Sequence, residues 1–404
     1  MVLPGEKSNG KIYIGVVGVG GVGTHFLSQL STLLPTQPRL RIALITSSTK
    51  AIYSTSTSPS TISLDNWRHD LSTSNSTYLY PHLIPHWLAN CPGHAVLVDN
   101  TSSPKLVEET YTQCLKNGIS IVTPNKVAFS ASQQEWDDLQ ASSYPRNPDG
   151  GFLYHEATVG AGLPILSTIK DLLDTGDKVP SYPSTFPPHK PPEIVIINSI
   201  TPNQITHISG VFSGTMSYLF NTFSPTSPFP QPQPWSTIVR QARSLGYTEP
   251  DPRDDLNGKD VARKLVILAR LIGLSVASTD AFPVQSLIPA ALEKQGGSAD
   301  EFLNKLENYD GEMATLRHAA ESEGKVLRFV GSIDVATQNV KVGVEKVGKG
   351  EPVAGLRGSD NLVAIRTERY KESPLVVQGA GAGGAVTAMG VLADLLRVVR
   401  QVPS

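Results

Sequence analysis

Gly18-Val19-Gly20-Gly21-Val22-Gly23 follows the apolar run Ile12–Val17 and opens a stretch, 22–34, whose apolar residues recur with helical periodicity. Strand, glycine turn and helix in that order give each glycine a physical task. Gly18 permits a tight turn, Gly20 lets the backbone approach a pyrophosphate, and Gly23 allows close packing of helix on strand, so that the helix N-terminus faces the anion. Further apolar runs at Leu40–Thr46, 95–99 and 119–122 alternate with helical stretches, among them 104–117 with its Gly118 stop. That alternation predicts an α/β fold, a Rossmann-type doubly wound parallel sheet. The residues Gly18, Val19, Gly20, Gly21, Val22 and Gly23 are then the core of a dinucleotide site.

The second strand would end at Ile45-Thr46-Ser47-Ser48-Thr49-Lys50, where NAD-specific folds place a carboxylate for the ribose 2′-hydroxyl. None is present, so a 2′-phosphate meets hydroxyls and one ammonium. NADP should be accepted, with NAD not excluded. The third and fourth strands run out into Asn100, Thr101 and Ser102 and into Thr123-Pro124-Asn125-Lys126, both at the carboxyl edge where ligands bind in such sheets. Asn100 and Thr101 fit a helix cap as well as a cofactor contact, and Lys126 fits a solvated loop as well as a site. The Ser/Thr-rich stretch 53–63 reads as a surface loop.

A chain of 404 residues is long enough for two lobes, and its net charge of -2 offers no basic field for nucleic acid or an anionic membrane. A small metabolite fits better. Only Cys91 and Cys114 occur, without metal-like spacing, which suits a reducing compartment and disfavours thiol catalysis. No signal-like start and no run near the ~20 apolar residues of a membrane span are seen, so a soluble cytoplasmic protein is expected. Two proline-rich segments, 178–192 and 224–234, exclude helix and central strand and read as exposed insertions. Helices dominate from Ser236, strands at 326–344 and 362–378, and a second glycine run, 379–384, precedes a final apolar helix over 385–399.

The densest polar cluster, GYTEPDPRDDLNGKDVARK over 246–264, carries five carboxylates in twelve residues, Glu249, Asp251, Asp254, Asp255 and Asp260. A solvated loop before a helix accounts for much of it. Asp260 and Lys264, however, stand four apart on a helix whose other positions are apolar, a helix expected to be buried all round. A lysine there is desolvated, which moves its ammonium toward proton transfer near neutrality, so Lys264 is the candidate acid/base. In HEATVGAGLP (155–164), Glu156 precedes a glycine-punctuated loop. This fits either a turn at a domain junction or a hard-oxygen cation site for Na⁺, K⁺ or Ca²⁺.

VDNTSS (98–103), TPNK (123–126), HEATVGAGLP (155–164), SGTMSYLFN (213–221) and LGYTEPDPRDDLNGKDVARK (245–264) together resemble homoserine dehydrogenase, in its short form without aspartokinase or regulatory domain. The resemblance implies reversible reduction of L-aspartate 4-semialdehyde to L-homoserine, toward threonine, methionine and isoleucine, by a homodimer. It implies Lys264 as proton donor and Lys126 as its partner beside the nicotinamide. It places Glu249 on the substrate amine, Asp255 and Asp260 as further polar ligands, and Gly246, Tyr247 and Thr215 around the substrate. Gly383 would close over the cofactor, and Glu156, Val159, Ala161 and Leu163 would hold a monovalent cation, Na⁺ or K⁺. Residues 1–157 with 383–404 would form the dinucleotide domain, and 158–382 a dimerisation and substrate domain with an insertion at 178–202. Two rival readings are an aldehyde dehydrogenase working through a cleft cysteine and a silent NADPH-binding sensor.

Overall fold

A computed structural model describes residues 10–57, 59–176, 205–227 and 233–403. The chain divides into two compact units, Met1–Pro164 with Ala380–Ser404, and Ile165–Gly379. The insertion at 178–202 lies outside the described residues, as do 228–232 of the second proline-rich segment.

In the first unit β1 (Ile12–Val17), β2 (Leu40–Thr46), β3 (Ala51–Tyr53), β4 (His94–Asp99), β5 (Ser120–Val122) and β6 (Leu153–Tyr154) form one sheet in the order β3-β2-β1-β4-β5-β6. All pairs are parallel except β2 with the edge strand β3. Every residue of β1 is buried, as a strand covered on both faces requires. The edge strand was not expected and meets the expected loop 53–63 only at Tyr53: Ala51 to Tyr53 fold back on Leu44 to Thr46, and three residues are too few to show strand periodicity. The chain leaves β1 toward β2 and returns on its other side at β4, so the reversal point lies at the carboxyl ends of β1 and β4. Helix Gly384–Gln401 completes this unit: Val391, Leu395 and Val398 share a core with Phe26, Leu27 and Ile14. Each such side chain contributes about 1.5–3 kcal/mol when fully buried.

The second unit carries β7 (Ile205–Val211), β8 (Lys325–Asp334), β9 (Asn339–Gly348), β10 (Asp360–Thr367) and β11 (Leu375–Ala380), ordered β11-β10-β7-β8-β9. The pairs β10–β7, β7–β8 and β8–β9 are antiparallel. Helices Gly214–Phe223, Lys259–Leu271 and Asp310–Glu321 pack against β8. Helix Lys259–Leu271 is not buried all round as expected: Lys259 and Arg263, four apart, are exposed on one stripe while Val261, Ala262 and Lys264 to Arg270 are buried. No helix among the described residues is long and apolar enough to cross a membrane.

Candidate active site

Two of the glycine turn's three tasks are visible in the backbone, the tight turn at Gly18 and the close packing at Gly23. Gly18 has φ +85°, and its N–H donates to the Thr46 carbonyl at 2.9 Å. A Cβ on Gly23 would lie 2.0 Å from the Gly18 carbonyl oxygen, so only glycine lets the helix start this close to the strand. At Gly20 and Gly21 a Cβ would meet nothing within 4 Å, which leaves the helix N-terminus open to an anion. Val19 and Val22 flank the turn, half-buried, with the Val19 carbonyl accepting from the Thr24 hydroxyl at 3.0 Å. Gly383, φ +108°, caps helix Gly384–Gln401, and a Cβ on Gly384 would stand 3.1 Å from the Gly21 carbonyl oxygen, so the second glycine run lies against the first.

Asn100 follows β4 at the reversal point, its N–H donating to the Val17 carbonyl at 2.8 Å. Neither end of its buried side-chain amide has a hydrogen-bond partner. A buried orphan amide costs about 1–3 kcal/mol, and a ligand carrying both donor and acceptor, as a carboxamide does, satisfies it. This orphan and the open turn fit a nicotinamide dinucleotide. The helix cap is neither Asn100 nor Thr101 but Ser103, whose hydroxyl accepts from the Leu106 N–H at 3.2 Å; Ser102 is exposed. At the end of β2 a cavity of about 320 Å³ is lined by Val19, Ser47, Thr49, Lys50, Trp67 and Arg68 among others, with no Asp or Glu in its wall. Sequence reading found the Ser47 to Lys50 side of it and missed Arg68, whose guanidinium lies 4.7 Å above the Trp67 ring. The adjacent Trp67-Arg68 pair after a Ser/Thr loop was the available signal.

Lys126 precedes the short helix Val127–Ser130 and is half-buried. Behind it stands a network that sequence reading did not find, centred on Asp99, which is 0% exposed. Burial raises the Asp99 carboxyl above its usual range, while hydrogen bonds from Tyr111, Thr101 and Asn125 pull it down. A carboxylate ending an otherwise apolar strand was the signal.

Around Glu156 the structure adds partners. Its carboxylate accepts from Arg397 at 3.0 Å, and Arg397 also reaches Asp394 at 2.6 Å. The Glu156 N–H donates to Asp394 at 2.8 Å. Burial raises the Asp394 carboxyl to about 6 against the pull of Arg397. Val159 and Ala161 are buried and Leu163 half-buried; Ala161 takes the left-handed conformation at φ 55°, a strained backbone for a residue with a side chain. No group of three or more His, Cys, Asp or Glu among the described residues could hold a metal.

In the second unit, the Lys264 side chain is 9% exposed; its ammonium donates to the Phe212 carbonyl at 2.7 Å and pairs with Asp260 at 2.6 Å. Phe212 follows β7, and Ser213 caps helix Gly214–Phe223, so 212–213 is the strand-to-helix turn. The Thr215 hydroxyl lies 2.6 Å from the Tyr247 carbonyl and 2.9 Å from Asp255. Asp255 also accepts the Glu249 N–H at 2.8 Å. Burial raises the Asp255 carboxyl, those two hydrogen bonds lower it, and the charges of Glu249 and Asp260 raise it again. Gly246, φ +74°, ends helix Trp235–Ser244, and the Tyr247 ring stacks on Tyr218 at 4.6 Å. The Glu249 side chain is exposed. Thr215, Tyr247, Glu249 and Asp255 are thus one cluster, and Asp260 with Lys264 an adjoining pair. Cys91 and Cys114 are both buried, and burial pushes the Cys114 thiol well above its usual range, away from nucleophilic thiolate.

A doubly wound sheet with this turn and orphan amide, in a chain that also carries a buried lysine beside carboxylates, defines a nicotinamide-dependent oxidoreductase. Comparison with known proteins makes the family particular. The homoserine dehydrogenase family profile matches residues 193–396, and that of the homoserine dehydrogenase NAD-binding domain matches 18–144. Homoserine dehydrogenase of Emericella nidulans is 48% identical over 396 residues, covering 96% of this chain and 99% of that protein. A Candida auris protein of unknown function has a crystal structure similar at TM-score 0.84 and 38% identity, over 97% of this chain and 99% of that one. A hyperthermophilic archaeal homoserine dehydrogenase in complex with NADPH shares the fold at TM-score 0.63 and 21% identity, over 98% and 99% of the two chains. The chain belongs to the homoserine dehydrogenase family.

Proposed function

We propose that this chain interconverts L-homoserine and L-aspartate 4-semialdehyde with NADP as preferred coenzyme, in the branch toward threonine, methionine and isoleucine. The single observation that carries the chemistry is Lys264, a buried ammonium on a helix, aimed by the Phe212 carbonyl and Asp260. When bound, the nicotinamide carries the hydride. Lys264 gives its proton to the aldehyde oxygen as negative charge builds there, and takes it back in homoserine oxidation. Glu249 holds the substrate amine on a loop fixed by Thr215 and Asp255, and Asp260 keeps Lys264 in place. Gly246 and Tyr247 shape that loop. Gly18 to Gly23, Asn100, Thr101, Ser102 and Gly383 hold the coenzyme, and Lys126 steadies nicotinamide and substrate.

The uncharged-to-cationic wall of the cavity at Ser47, Lys50 and Arg68 supports NADP over NAD. A monovalent cation, Na⁺ or K⁺, would rest on the carbonyls of Val159, Ala161 and Leu163; since the Glu156 carboxylate is engaged by Arg397, it would serve as a shared or indirect ligand. The strained Ala161 supports a built loop there. The working form is a homodimer in the cytoplasm, with 1–157 and 383–404 binding coenzyme and 158–382 supplying substrate and dimer contacts. Steady-state oxidation of L-homoserine with NADP and with NAD, at varied Na⁺ and K⁺, tests the reading. Higher kcat/KM with NADP and a cation-dependent rate are expected; no NAD(P)-linked oxidation of homoserine would overturn it.

A further inference from the structure

We infer that Asp99 is a positioning residue for hydride transfer, whose buried carboxylate fixes the loops 100–103 and 123–126 and thereby sets where Lys126 acts. The inference rests on the functional reading above for Lys126 and on geometry within the first unit for Asp99. Parallel pairing of β4 with β5 runs from Val96↔Ser120 to Val98↔Val122 and stops there. Beyond that point the two loops have no ladder, and side chains take over.

One oxygen of Asp99 accepts the Thr101 N–H at 2.7 Å; the other accepts the Tyr111 hydroxyl at 2.7 Å and the Asn125 side-chain amide at 3.2 Å. The Thr123 hydroxyl donates to the Asp99 carbonyl at 2.9 Å and accepts the Asn125 N–H at 2.9 Å. Asn125 in turn accepts the Val127 N–H at 3.0 Å through its own side chain. Lys126 therefore sits between two residues that are both tied into this network, and its carbonyl accepts from the N–H groups of Phe129 and Ser130 at 3.1 and 3.0 Å. A buried carboxylate is costly, and the sheet is already closed without it. Its three donors come from the two ligand-edge loops and the helix between them, so what it fixes is the edge where the coenzyme reacts.

Asp99→Asn is nearly isosteric and keeps the acceptor for Thr101, but it turns a donor toward the Asn125 amide, which is itself a donor. The variant is expected to fold and to bind NADPH within about fivefold of the parent, with kcat for homoserine oxidation down ten- to a hundredfold. With homoserine deuterated at C4, the isotope effect on kcat should rise as hydride transfer becomes the slow step. Tyr111→Phe, which leaves Asn125 attached, should shift both in the same direction by a few-fold. A purely structural role would lower the amount of coenzyme-titratable enzyme at an unchanged isotope effect, and that result overturns the inference. Hydrogen exchange gives a readout free of turnover: amides of 100–103 and 123–127 should exchange faster in Asp99→Asn. Unchanged protection overturns the inference whatever the substrate, whereas a parent enzyme inert toward homoserine overturns only the functional reading.

Discussion

The glycine turn of the first unit and the loop Gly246 to Glu249 of the second, which we assign to coenzyme and substrate, are both short connections into a helix, yet they are held by different means. The turn at Gly18 to Gly23 is built by what is missing: a Cβ at Gly23 would strike the Gly18 carbonyl, and the open positions Gly20 and Gly21 present backbone N–H groups. The loop from Gly246 to Glu249 is built by what is present. Thr215 and Asp255 reach it from elsewhere in the second unit and bind its backbone at Tyr247 and Glu249. A site made of backbone announces itself through glycine spacing; a site made of side chains shows its chemistry but hides its supports.

The largest effect is expected where one side chain carries chemistry alone. Lys264→Ala should lower kcat for homoserine oxidation by about 10²–10⁴, while the NADPH dissociation constant, read by fluorescence titration, stays near that of the parent. Near-normal turnover would remove the proton-transfer role and leave the second unit without the contrast drawn above. Next comes the turn. Gly23→Ala should cost at least about 3 kcal/mol of stability in urea unfolding, since the clash is with backbone that cannot swing aside. Gly20→Ala, with nothing within 4 Å, should leave the midpoint unchanged and weaken NADPH binding only. If both variants behave alike, the turn is not built by exclusion.

Much of this contrast was legible in the residues. Ile12–Val17 and Leu40–Thr46 were readable to the residue because strands buried on both faces are continuous apolar runs. Lys264 was readable because its helical neighbours are apolar. What stayed hidden has a common cause: partners that meet only in space. Tyr111 and Asn125 lie 12 and 26 residues from Asp99, and Arg397 lies 241 from Glu156, so no window of sequence contains them together. The edge strand β3 was hidden by brevity, and the left-handed Ala161 by the absence of the glycine that normally marks such a site. The exposed stripe of Lys259 and Arg263 was in the sequence, and apolar neighbours outweighed it.

A milder change tests whether the loop Gly246 to Glu249 depends on its supports. Thr215→Val keeps the shape and removes the hydroxyl between the Tyr247 carbonyl and Asp255. The loss should be about 1–2 kcal/mol, roughly tenfold in KM for homoserine, with kcat changed less. An equal fall in kcat with KM constant would mean that the hydroxyl acts on the reaction and not on the loop.

A pH-linked effect comes from another place, in addition to the Asp99 network, where the first unit uses the second unit's method. Asp394 reaches from the last helix to the Glu156 N–H and pairs with Arg397, a side-chain support under a glycine-punctuated loop. Burial raises its carboxyl to about 6 from an ordinary value of 3.8, so the folded protein holds this proton more tightly than the unfolded chain does. The stability that proton brings is fully present below the unfolded value and is lost as pH climbs from about 4 to about 6. Asp394→Asn removes the linkage, so parent stability should fall relative to the variant over that window. The change should be about 3 kcal/mol at most, which is what a rise from 3.8 to about 6 amounts to with the pull of Arg397 already included. Urea unfolding of both proteins at pH 4, 5, 6 and 7 reads it as the slope of their difference. A parent that gains on the variant as pH rises would mean that the ion pair with Arg397 outweighs burial. The loop at Glu156 would then be held by charge, as the Asp260–Lys264 pair is in the second unit, and the division between a backbone-built and a side-chain-built unit would apply to the glycine turn alone.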